Sequence, residues 1–116
     1  MSTNRNATVR AVVESTIVVG GCSTHFVNLC SDAAVSVRCV VHGASLLELS
    51  TAVARYRPYV IVLRTGAYRL RRAEYDERAV DVQAVILTVD SELIELEELE
   101  GLLMATVAEA QRKRAR

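Results

Sequence analysis

Apolar positions along this chain fall into two kinds of run. Thr16-Ile17-Val18-Val19, Val60-Ile61-Val62-Leu63 and Ala84-Val85-Ile86-Leu87 are short, continuous and aliphatic, the pattern of strands covered on both faces. Gly20-Gly21 ends the first run as a tight turn. Ser23 or Thr24 then supplies an N-cap for a helix through Phe26, Val27, Leu29 and Cys30 that ends near Asp32. Val35, Val37, Cys39 and Val41 alternate ahead of His42-Gly43 and predict a second strand. Ser45 caps a helix carrying Leu46, Leu47, Leu49 and Val53, with Arg55 near its end and Pro58 beyond it. The stretch from Arg64 to Asp81 is mostly polar and predicts at most one irregular helical turn. Ser91 opens a long helix to about Arg112, with Leu93, Leu96, Leu99, Leu103, Val107 and Ala110 on one face. Acids fill its first half and Arg112, Lys113 and Arg114 close it, as the helix dipole favours.

Strands alternating with helices predict an α/β fold, a single-domain, doubly wound parallel sheet with right-handed crossovers and a long C-terminal helix. Residues 14–116 form the expected domain, after a polar lead-in over residues 1–13. The chain left after Thr88 suffices for the long helix and leaves little for a fifth strand, so the sequence leaves open a sheet of five strands or one truncated to four.

Composition narrows the function classes. The 116 residues are 51% hydrophobic and 24% charged, ordinary for one globular domain and far from disorder. Fourteen acids balance fourteen bases, so no global field draws the protein to nucleic acid or an anionic membrane. Few aromatics leave little surface for stacking bases. No apolar run reaches a membrane span, and Met1 to Arg10 lack the layout of a secretory signal. A cytoplasmic location is expected, with Cys22, Cys30 and Cys39 as reduced thiols.

The segment Arg57-Pro58-Tyr59-Val60-Ile61-Val62-Leu63-Arg64, with Gly20-Gly21 upstream and Thr88 downstream, resembles the receiver domain of bacterial response regulators over Thr16 to Thr88. That resemblance implies a flavodoxin-like sheet, an acidic pair after strand one, a phosphoaccepting Asp after strand three, and a Thr or Ser after strand four. Thr88 matches the last of these. Gly20 and Gly21 stand where the acids should be, and Arg64 stands where the acceptor should be. Mg²⁺ needs carboxylate oxygens that two glycines and a guanidinium do not supply. The expectation is therefore a degenerate receiver, a non-enzymatic adaptor or regulator in a bacterial signalling, motility or cell-polarity complex. It would use no cofactor or metal and would bind a protein partner or a second copy of itself.

Arg64, Arg69, Arg71, Arg72 and Arg78 cluster in the polar connection, beside Glu74, Asp76, Glu77 and Asp81. The first four, with Leu96, Leu99 and Leu103 of the long helix, are the candidate partner-binding residues. The alternative function is a nucleotide- or anion-binding regulator using the Gly20 to Thr24 turn, where free amides at a helix start can hold an anion. The same helix start would lower the Cys22 pKa and give a nucleophile, but Asn28 stands where phosphatase-type loops carry Arg. Cys22 with His25 and Cys39 with His42 have metal-ligand spacing. Residues three apart on a strand point to opposite faces, which counts against a site at Cys39 and His42.

Overall fold

The computed structural model describes residues 14–115; the expected lead-in over residues 1–13 lies outside them. Four parallel strands, β1 (Thr16–Gly20), β2 (Val40–Ala44), β3 (Val60–Arg64) and β4 (Val85–Val89), lie in the order β2-β1-β3-β4. This is an α/β sheet compatible with a flavodoxin-like fold. Five helices connect or cover the strands: α1 (Thr24–Ala33), α2 (Leu49–Tyr56), α3 (Thr65–Leu70), α4 (Arg72–Val82) and α5 (Leu96–Arg114).

Alternation along the strands divides the core in two. Ile17, Val19, Val60, Val62, Leu87 and Val89 meet Phe26, Cys30 and Ala33 of α1 and Leu99, Leu103 and Val107 of α5. Val18, Ile61 and Leu63 turn the other way, onto Leu49 and Val53 of α2 and Tyr75, Ala79 and Val82 of α4. Aliphatic burial on this scale, about 1.5–3 kcal/mol per large side chain, is what holds helices to sheet. Truncating Leu103 to Ala inside it would cost about 2–5 kcal/mol. The one buried polar residue among those described, Thr16, donates its hydroxyl to the Tyr56 carbonyl at 3.1 Å.

Two helices start later than the sequence predicts, α2 at Leu49 and α5 at Leu96 instead of at Ser91, which leaves Leu93 outside the helix and 93% exposed. Two further elements differ in kind. The alternating Val35, Val37, Cys39 and Val41 do not form one strand, because α1 runs on into a 3₁₀ turn over Ala34–Val37. Arg38 then breaks it in the left-handed region at φ 56°, and β2 starts only at Val40. The polar connection holds two helices instead of one turn. Tyr75, Ala79 and Val82, spaced four and three apart, anchor α4 with three buried positions, too few to stand out among charges.

α5 packs on its own sheet as its apolar stripe implies. Leu99 and Leu103 are fully buried against it, so these two residues belong to the core and present nothing to a partner. Leu96 is 40% exposed.

The end of α5 is bolted down by a contact the sequence did not announce. The Arg114 guanidinium Nη2 donates to the carbonyls of Arg57 (3.2 Å), Pro58 (2.7 Å) and Val82 (2.9 Å), and it stacks 4.0 Å from the Tyr59 ring centroid. The basic end of the helix, which the sequence marks only as favourable to the helix dipole, is anchored at this residue.

Candidate functional site

The C-terminal ends of β1, β3 and β4 converge at one corner, where open α/β sheets place ligands. Gly20 ends β1 because a Cβ there would come to 3.0 Å from both Leu49 and Leu63 methyls, and both leucines are buried. Gly21 follows at φ +67°, a conformation glycine favours, and its missing Cβ would lie 2.7 Å from Leu46. The chain then enters α1 through Ser23, whose hydroxyl accepts the Phe26 N–H at 3.2 Å as N-cap.

Arg64, on β3, and Glu92, on the connection after β4, meet at this corner at 3.7 Å. Glu92 Oε1 accepts from the Ser23 hydroxyl (2.6 Å) and backbone N–H (3.2 Å). These bonds hold its carboxyl below the usual range, the Ser23 hydroxyl most of all, with smaller help from Arg64 and His25 against partial burial. The anion seat at the start of α1 is therefore filled by the chain's own carboxylate. Beside it the Thr65 hydroxyl donates to Asp90 at 2.7 Å. Glu92, the residue that closes the corner, was not singled out from sequence. Its signal was an acid just after the fourth strand, masked by the acidic run that follows.

Cys22 sits in the same corner, its thiol 3.5 Å from the Gly20 carbonyl. Burial, with Glu92 adding and Arg64 opposing, pushes its pKa up to about 11. The helix start does not make it a thiolate, so at neutral pH it is a poor nucleophile. Cys39 lies before β2, at the opposite end of the sheet from Cys22, with its thiol on the Val37 carbonyl. The His42 ring stacks on Tyr56 at 3.8 Å. Among the described residues no three His, Cys, Asp or Glu side chains gather as a metal site. Thr88 lies within β4, half-buried, and the residue that follows the strand is Asp90.

The structure does not bring the arginines into one patch. Arg64 belongs to the corner. Arg71 pairs with Glu74 at 3.3 Å, and Arg72 pairs with Asp76 at 3.8 Å and lies over the Tyr68 ring. Arg69 and Arg78 have no ion pair among the described residues. Arg71 and Arg78 instead rim an apolar groove of about 340 Å³ between α2 on one side and α3 and α4 on the other, floored by Leu49, Val53, Ile61 and Tyr75. Ser45 and Glu48 cap each other through Ser45 Oγ, at 3.2 Å, which delays α2 to Leu49 and lifts Leu46 and Leu47 onto the groove wall. Leu47 is 97% exposed and Leu70, on the facing wall, 85%. Single exposed leucines are unremarkable, but two flanking a formed cleft make a contiguous apolar surface.

No protein-family model, curated protein or solved structure matches the chain. The fold and the two surfaces therefore stand on this chain's own geometry. No helix among the described residues is long and apolar enough to cross a membrane.

Proposed function

We propose that the chain is a pseudo-receiver, a non-catalytic protein-binding module whose docking surface is the groove between α2 and α4. The observation that carries the reading is that groove, apolar on its floor and walls and open to solvent, lined also by Arg71, Glu74 and Arg78. Glu74 pairs with Arg71, which leaves Arg78 as the guanidinium there with no ion pair among the described residues. The preferred occupant is an amphipathic helix with Leu-type anchors and an acid placed to meet Arg78, since buried apolar anchors give affinity and charge complementarity gives register and partner choice.

The strand-end corner supports the non-catalytic half of the reading. Arg64 stands at the end of β3 where a receiver carries its acceptor, Gly20 and Gly21 stand at the acidic pair, and Glu92 occupies the helix start. An open anion seat, on which the nucleotide-binding alternative depends, is not left over. Signalling, motility or polarity complexes are the setting that the receiver resemblance implies.

Two measurements test the proposal. Acetyl phosphate with Mg²⁺ is expected to leave the intact mass unchanged; an acid-stable phosphoryl adduct on an Asp overturns the pseudo-receiver reading. Fluorescent amphipathic helices of one Leu pattern, flanked by Glu or by Lys, are then titrated against the full chain. The Glu-flanked peptide is expected to bind the wild type at least tenfold tighter than the Lys-flanked one, and to lose binding in Leu47→Glu/Leu70→Glu. Equal binding of both peptides, or retained binding in the double variant, overturns the groove.

A further inference from the structure

β4 is the last strand of the sheet, and its outer edge is bare among the described residues. The Val85 N–H donates 2.9 Å to the Tyr59 carbonyl on the β3 side. Alternation along a parallel strand then sends the N–H and C=O of Ile86 and Thr88 outward. The rim Val85-Ile86-Leu87-Thr88-Val89 pairs with β3 without a break in register. It carries no charge, no proline and no bulge, so it lacks the devices by which natural edges avoid pairing.

We propose that this edge pairs with β4 of a second copy, antiparallel about a two-fold axis at Leu87, joining two four-stranded sheets into one. Ile86 of one copy then faces Thr88 of the other, and each such pair exchanges both N–H···O=C bonds as the narrow pairs of an antiparallel ladder do. Leu87 meets Leu87 on the axis, and Val85 meets Val89. No like charges stand opposite each other. The contact is isologous and closes at two copies.

Charge complementarity on α5 selects this direction. α5 runs down β4 from its C-terminal end, where Glu98 and Leu102 share a pocket with Thr88, Val89 and Asp90, to the starts of β3 and β4, where Arg114 holds Pro58 and Val82. A two-fold axis perpendicular to the sheet places both α5 helices on one face, side by side and antiparallel, within ordinary packing reach of about 8–10 Å. The side of α5 over the bare edge begins with Glu98 and Leu102, and helical spacing of three and four carries it on through Thr106, Glu109 and Lys113. Leu87 lies two residues below Val89, about 7 Å along the strand, or four to five helical residues, so the axis passes near Thr106. Glu98 then lies level, to within one residue, with Lys113 of the second copy. A parallel pairing would need an axis along the strand, which turns the second α5 onto the opposite face and loses this contact. The inference does not depend on the groove reading, because it uses the opposite edge of α4 and the other face of the sheet.

Sedimentation equilibrium of the full chain across concentration, from about 1 µM to about 500 µM, tests it. The expected result is a reversible equilibrium between 12.7 kDa and twice that mass. Thr88→Pro removes an outward N–H and leaves the β3 ladder intact, so it should weaken the dimer at least tenfold with the circular dichroism spectrum unchanged. Glu98→Lys should weaken it about tenfold, and adding Lys113→Glu should restore it. A mass fixed at one chain, growth beyond two chains, or a folded Thr88→Pro variant that pairs like the wild type overturns the proposal. If Thr88→Pro does not fold, the charge series decides: an unaffected Glu98→Lys dimer, or no recovery in the double charge variant, overturns it.

Discussion

Arg114 holds the last turn of α5 against the starts of β3 and β4, and removing it should cost more than any other surface substitution in the chain. Its Nη2 makes two short bonds, to Pro58 and Val82, and a longer one to Arg57. Arg57 and Val82 lie at the C-terminal ends of α2 and α4, where free carbonyls carry partial negative charge and favour a cation. Hydrogen bonds to a charged group are worth about 1.5–3 kcal/mol each. The two short bonds therefore give about 3–6 kcal/mol before discount, and the Tyr59 stack adds about 0.5–2 kcal/mol. Two effects reduce this. Water can reach the carbonyls once the side chain is gone, and the Arg114 Nε is already buried without a partner, a standing cost of about 1–3 kcal/mol. The expected net loss for Arg114→Ala is about 2–4 kcal/mol, a fall in Tm of roughly 8–16 °C for a domain of this size. Arg114→Lys keeps the charge but not the planar fork or the stack, so it should recover less than half of the loss. Urea unfolding followed by circular dichroism reads both. A change under about 0.5 kcal/mol for Arg114→Ala would falsify the bolt and return the tail to a frayed end.

Three further outcomes follow from the same geometry. Glu92 is held below its ordinary value of 4.5 by the Ser23 hydroxyl, so its contribution is complete above pH 4.5 and is lost as pH falls through the lowered value; the Tm difference between wild type and Glu92→Gln should shrink over that acid range, and a constant difference refutes the link. Gly20→Asp should lower stability by about 1–3 kcal/mol, since its Cβ meets buried Leu49 and Leu63 at 3.0 Å, and a neutral change would show the corner to be looser than drawn. Arg69→Glu/Arg71→Glu/Arg72→Glu should change the unfolding free energy by under about 1 kcal/mol, because all three are exposed and the ion pairs of Arg71 and Arg72 are weak; it should also abolish binding of the Glu-flanked peptide, and intact binding would move the acidic partner elsewhere.

The strands were readable in the sequence because a parallel strand covered on both faces is an unbroken aliphatic run. Val60-Ile61-Val62-Leu63 appears in the structure where the run stands. β2 was misplaced for the complementary reason. It is an edge strand, with Val40 and Gly43 exposed and His42 half-buried, so its own residues carry a weak signal while the turn before it carries four alternating apolar ones. α4 was hidden by its charges, since three buried side chains suffice when a sheet is already there to receive them. The corner was half visible. Gly20, Gly21 and Arg64 stand out by residue type alone once the chain is set against the receiver pattern it resembles. Glu92 acts across 69 residues and Arg114 across 32 to 57, and contacts at that separation leave no periodic trace. The groove was missed because Leu46 and Leu47 read as helix core. The Ser45–Glu48 capping turn moves them outside it.

In the proposed pseudo-receiver reading, Gly20 ties the absence of an acidic pair to the formation of the groove. Leu49 and Leu63 close over the position where a side chain at the end of β1 would stand, and Leu49 is the first residue of α2. Packing α2 that tightly on Gly20 brings the Ser45–Glu48 turn against Gly21, whose missing Cβ makes room for Leu46 at 2.7 Å. A carboxylate at either glycine would push this turn away, and with it the wall that Leu46 and Leu47 give to the groove. Restoring the acidic pair and forming the groove are therefore opposed by the same leucines. Gly21→Asp should weaken the Glu-flanked peptide more than it weakens the fold, because Leu46 lies on an exposed turn that can yield while the core beneath it stays packed. Loss of stability without loss of peptide affinity would show that the two are not coupled.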